Sequence, residues 1–125
     1  MENLYLEDLK GLSQDEVKKH ISLDYDYPLD KLEKYEVLVA YESVGSYGCD
    51  SSSWILLKDK VTGDLYENHA SHCSCYGFED QFEPESTTIE YLQSDNFYFC
   101  CGGYDDNEED NKKLVIDYLK KLVID

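Results

Sequence analysis

The run Tyr35-Glu36-Val37-Leu38-Val39-Ala40-Tyr41 constrains this chain more than any other stretch. Successive side chains of a strand point to opposite faces, and here Val37, Val39 and Tyr41 alternate against Leu38 and Ala40. Both faces are apolar, which predicts a strand placed centrally in a sheet. Trp54-Ile55-Leu56-Leu57-Lys58-Asp59 is a second strand. Val61-Thr62-Gly63-Asp64 is a turn with Gly63 available for positive φ, and Leu65 to His69 returns beside the strand before it. Residues 54 to 69 are therefore predicted to form a β-hairpin.

Helical signals surround these strands. Residues 1 to 12 are weakly patterned, but Ser13-Gln14-Asp15-Glu16 reads as a capping box for a helix to about Ile21, with Val17 and Ile21 on one face. Asp24 to Pro28 breaks it, because the residue before Pro is driven out of the helical region. Leu29 to Glu33 suits one more helical turn. Gly45 to Ser53 reads as a loop of small polar residues. After the hairpin, Gly77 and Pro84 mark an irregular loop, and Thr87-Thr88-Ile89-Glu90 is a second capping box for a short helix over Ile89 and Leu92. Asn96 to Cys101 is an aromatic strand ended by Gly102-Gly103. A last amphipathic helix, about 107 to 122, should bury Leu114, Val115, Tyr118, Leu119 and Leu122. The expected fold class is α+β: a small, mostly antiparallel sheet of three to five strands with flanking helices. At 125 residues the chain is read as one domain able to bury roughly two-thirds of its unfolded surface.

Charge excludes several partners. Twenty-eight acids face 11 bases, all of them Lys, for a net charge of −17. Such a field repels nucleic acid and anionic membrane, and it attracts basic protein surfaces over a Debye length of about 8 Å. The Lys pairs 18-19, 112-113 and 120-121 fall on predicted helices among acids, so no basic patch suits direct nucleic-acid binding. No signal peptide and no apolar run of membrane-spanning length is expected. Five cysteines, an odd number, without a secretory signal suit reduced thiols in a cytoplasm.

The densest chemistry lies in residues 66 to 85, which hold two of the three His and two of the five Cys. His69, His72, Cys73 and Cys75 are zinc-compatible in residue type, and Cys49, Cys100 and Cys101 could approach them. Cys-x-Cys is tighter than the usual zinc knuckle, however, and free Cys packs readily as a small hydrophobe, so no cofactor is expected. A Cys/His nucleophile pair has the right residue types but no recognisable nucleophile signature. Glu79, Asp80, Glu83 and Glu85 are too ordinary among so many acids to mark a catalytic pair. Tyrosines mixed with carboxylates, as in Tyr47-Gly48-Cys49-Asp50 and Gly103-Tyr104-Asp105-Asp106, suit a recognition surface that imitates a phosphate backbone. They equally suit a Tyr-packed core with a solvated acidic exterior.

Gly48-Cys49-Asp50-Ser51-Ser52, then Ser71-His72-Cys73-Ser74-Cys75-Tyr76-Gly77-Phe78-Glu79 with Gln81-Phe82 and Pro84-Glu85, resembles a family of short bacteriophage and prophage proteins. Tyr98 to Tyr104 is similar to that family as well, and the resemblance spans roughly residues 35 to 105. It implies a cytoplasmic protein acting in an infected bacterium, and it carries over no catalytic residue. The favoured expectation is a non-enzymatic inhibitor of a basic host defence or nucleic-acid-binding enzyme, in the manner of anti-CRISPR proteins. Its candidate binding residues are Asp50, His72, Tyr76, Glu79, Gln81, Asp105, Asp106, Glu108, Glu109 and Asp110. The alternatives are a pocket for a small molecule such as a signalling nucleotide, enclosed by residues 47–54 and 69–82, and a structural zinc module.

Overall fold

The computed structural model describes residues 3–7, 9–44, 51–72, 82–94, 97 and 108–122. Five strands form one sheet in the order β1-β2-β3-β4-β5: β1 (Leu4–Glu7), β2 (Tyr35–Val44), β3 (Ser51–Asp59), β4 (Leu65–His72) and β5 (Glu85–Thr87). β1 pairs with β2 in parallel and every other pairing is antiparallel. Parallel neighbours need a crossover, and α1 (Gln14–Asp24) with α2 (Leu29–Leu32) supplies it. α3 (Ile89–Leu92) follows β5 closely, and α4 (Glu108–Lys121) comes last. The chain is thus α+β with helices flanking a mostly antiparallel sheet, as its patterning predicts, and the parallel pairing of β1 makes that sheet mixed.

Helices cover both faces. Val17, Ile21, Tyr25 and Leu32 from α1, α2 and the turn between them pack with Val37, Ala40, Ile55 and Leu57 on one face. Val115, Leu119 and Leu122 from the α4 region pack with Val39, Tyr41, Trp54 and Leu56 on the other. β2 is an inner strand, as its two apolar faces require, and β3 takes the middle of the sheet.

The alternation expected along β2 is broken. The register slips between Val37 and Val39, so the residues on either side of Leu38 change faces. Val37 and Ala40 share the α1 face, whereas Leu38, Val39 and Tyr41 share the α4 face. A bulge inserts one residue on one strand and reverses the parity of everything beyond it. The Gln14 side chain secures this point. Its Oε1 accepts from Val37 N at 2.7 Å, and its Nε2 donates to Val37 O at 3.1 Å and to the Tyr5 hydroxyl at 2.8 Å. β1 begins opposite Val39, so this amide serves backbone groups that the ladder from β1 does not reach.

Local signals translate directly. Ser13 Oγ accepts from Glu16 N and Glu16 Oε1 accepts from Ser13 N, both at 3.2 Å, forming the expected capping box. The hairpin turn closes with Asp59 Oδ1 accepting from Val61 N and Thr62 N, and Gly63 adopts φ +81°. Those two amides hold the exposed Asp59 carboxyl below its ordinary range.

Other expectations need correction. β1 lies in the weakly patterned start of the chain. β3 begins at Ser51, inside the expected loop, and β4 runs on to His72. The second capping site shifts by one residue: Thr87 belongs to β5, and Thr88 caps α3 by accepting from Tyr91 N at 3.1 Å. Leu114 is 48% exposed instead of buried, because the line Val115, Leu119, Leu122, with the partly buried Tyr118 beside it, faces the sheet. The strand expected over 96–101 lies outside the described residues except for Phe97, which sits in no strand.

Candidate functional site

Three strand ends meet at one end of the sheet: β2 stops at Val44, β3 starts at Ser51, and β4 stops at His72, whose Cα lies opposite that of Ser51. Just inside this end, on the α1 face, is a polar cluster within a mostly apolar layer. His20 Nε2 donates to Glu42 Oε2 at 2.7 Å. Ser53 lies opposite Glu42 on β3 and shares a hydrogen bond with the Tyr25 hydroxyl. The Glu42 residue is only 4% exposed, and its Oε1 is buried without a hydrogen-bond partner among the described residues.

The bulge at Leu38 makes this cluster possible. With unbroken alternation Glu42 would fall on the face opposite Val37, Val39 and Tyr41; the reversed parity turns it toward α1 and His20. α1 brings His20 within reach because Val17 and Ile21, one turn apart, are both fully buried against the sheet.

The far end of the Cys- and His-rich stretch is tied to the same layer. Phe82 is buried, edge-on to Tyr25 with centroids 5.9 Å apart, and 4.6 Å from the Tyr27 ring. Asn68 Oδ1 accepts from Glu83 N at 2.8 Å. β4 ends at His72, opposite Ser51, and Phe82 packs on Tyr25 of the His20–Glu42–Ser53–Tyr25 cluster.

A second polar group lies on the opposite face. Trp54 Nε1 donates to the buried Glu67 Oε1 at 3.1 Å, and His69 Nε2 is 3.5 Å from the same oxygen. Burial pushes the Glu67 carboxyl upward, but hydrogen bonds with His69, Thr87 and Trp54 outweigh it and leave the group below the ordinary glutamate range. This indole–carboxylate pair braces β3 against β4 under the ring of Phe97, which stands edge-on to Trp54 at 5.4 Å.

The expected site residues divide accordingly. Asp50, Tyr76, Glu79, Gln81, Asp105, Asp106, Cys73 and Cys75 lie outside the described residues. His72 ends β4, and Glu108, Glu109 and Asp110 form the first turn of α4. His69, a candidate zinc ligand, sits against Trp54 and Glu67. Among the described residues no group of three His, Cys, Asp or Glu could hold a metal ion. His20, Tyr25, Glu42 and Ser53 were not among the candidates. The available signal was Glu42 itself, an acid continuing a strand whose two faces are both apolar.

Chemically the cluster offers a carboxylate oxygen as an acceptor for an incoming N–H or O–H, with its other oxygen held by His20. Ser53 is engaged by Tyr25, which suits a binding floor better than nucleophilic catalysis. Among the described residues no helix is long and apolar enough to cross a membrane. No family model, curated protein or solved structure matches the chain.

Proposed function

We propose that this chain is an acidic binding protein that occupies a basic surface of a host protein, a defence or nucleic-acid-binding enzyme, in the cytoplasm of an infected bacterium. The observation that carries this reading is the unneutralised acid on its rigid elements. Asp15 and Glu16 on α1, Asp30 on α2 and Glu33 just after it, and Glu83, Glu85 and Glu90 around β5 are all exposed. Among the described residues the close ion pairs are the two His–Glu contacts, so these carboxylates contribute to the field of a net charge of −17. Fixed carboxylates attract a basic surface and speed encounter with it. The resemblance to short phage proteins supports the setting.

The test is phage growth on bacteria carrying nuclease-based defences, with and without this protein. Expression should restore plaquing against at least one defence. Neutralising Glu83, Glu85 and Glu90 to Gln, or Asp105, Asp106, Glu108, Glu109 and Asp110 to Asn and Gln, should weaken that protection. In vitro, inhibition of the nuclease should decline with added salt. Protection indifferent to both neutralised sets and to salt overturns the charge-based reading.

One observation favours a second reading, a small-molecule site at the end of the sheet beside Glu42 and Ser53. A buried carboxylate oxygen without a donor, as at Glu42, is costly, and a ligand N–H would satisfy it. Native mass spectrometry separates the two. A retained small mass that disappears in Glu42→Gln supports the pocket, and protein at its bare mass supports the first reading.

A further inference from the structure

We infer that the groove between α3 and α4 is a binding site for a small aromatic anion, a planar apolar ring bearing a phosphate or carboxylate. The site lies on the sheet face opposite the His20–Glu42 cluster and depends on neither functional reading above. Its volume is about 300 Å³, the size of a small ligand pocket. Leu92, Gln93 and Phe97 line one side; Lys112, Ile116 and Lys120 line the other.

Three features define the ligand. First, the two ammonium groups are eight residues apart on α4, about 12 Å along its axis, with Ile116 midway. They flank Ile116 and, among the described residues, enter no ion pair. Both lysines, and no carboxylate, are among the described lining residues. Second, Phe97 is held edge-on between Trp54 at 5.4 Å and Tyr91 at 6.0 Å, which positions its ring to pack against a flat apolar body. Third, the groove is built in advance. Gln93 Nε2 donates to Leu119 O at 2.8 Å and to Leu122 O at 3.3 Å, tying α3 to the end of α4. Two cations beside the apolar side chains of Leu92, Phe97 and Ile116 select a molecule that is both anionic and aromatic, because a bare anion leaves those side chains wet and a neutral ring leaves the lysines unused.

The test uses phenyl phosphate as probe, with benzyl alcohol and inorganic phosphate as controls, followed by amide chemical shifts of the intact protein. Saturable shifts at Leu92 to Phe97 and Lys112 to Lys120 are expected with phenyl phosphate, and much weaker ones with either control. Benzoate in place of phenyl phosphate tells whether carboxylate serves as well. Lys112→Gln/Lys120→Gln, which alters only exposed side chains, should abolish saturation with an otherwise unchanged spectrum. Ile116→Trp should block the groove independently. Absence of saturable shifts there, or binding that survives both variants, overturns the assignment.

Discussion

Glu67 keeps its charge in a buried place because Trp54, His69 and Thr87 surround its carboxylate with hydrogen bonds. Its folded pKa is depressed, so the ionised form contributes stability that is fully present above the unfolded value of about 4.3. That contribution is lost as pH falls through the lower folded value. Glu67→Gln still offers an oxygen to the Trp54 indole but cannot titrate. Urea unfolding across an acid pH series should show a shallower loss of stability for the variant than for the parent. Parallel curves would mean that this carboxylate does not contribute to the acid sensitivity. Glu42 and His20 teach a different lesson: they are 22 residues apart, and only the parity reversal at Leu38 puts them on one face.

At the scale of elements, α4 shows how a helical stripe is trimmed by what it packs against. The apolar pattern is wide enough to include Leu114, yet Val115, Leu119 and Leu122 occupy the line that meets Trp54, Leu56 and Val39. Leu119 is fully buried and Leu114 is half exposed. Leu119→Ala should therefore cost about 2–5 kcal/mol through lost transfer energy and the cavity left behind. Leu114→Ala should stay within about 0.5 kcal/mol. Midpoints of chemical unfolding at unchanged slope measure both, and equal losses would contradict the placement of α4. β1 and β5 stabilise the sheet edges with only four and three residues, and lengths that short leave almost no periodicity to read.

Among the described residues most acids, Glu42 and Glu67 apart, lie outside a two-sided core. Self-repulsion at −17 opposes the compact state, and salt screens it. The melting temperature should therefore climb from low to physiological ionic strength before levelling off. A flat or falling curve would show that the described surface carboxylates are neutralised by contacts other than solvent and ions. The same experiment bears on function, since salt that stabilises the fold should weaken its attraction to a basic partner.

Sequence alone determined whatever depends on neighbours in the chain. The Ser13 capping box, the Gly63 turn, the hairpin of β3 and β4 and the amphipathic line of α4 are local, and hydrogen-bonding reach or side-chain period specifies each. The α+β class follows from those elements. Tertiary structure decided the rest. Parallel pairing of β1, the bulge at Leu38 and the resulting reversal of faces depend on how distant segments share backbone hydrogen bonds. That pairing brings His20, Tyr25, Glu42 and Ser53 together at the foot of the Cys- and His-rich stretch, and sets Lys112 and Lys120 across from Phe97. No spacing in the sequence encodes those meetings, because a strand's alternation states which residues share a face only until a bulge changes the count.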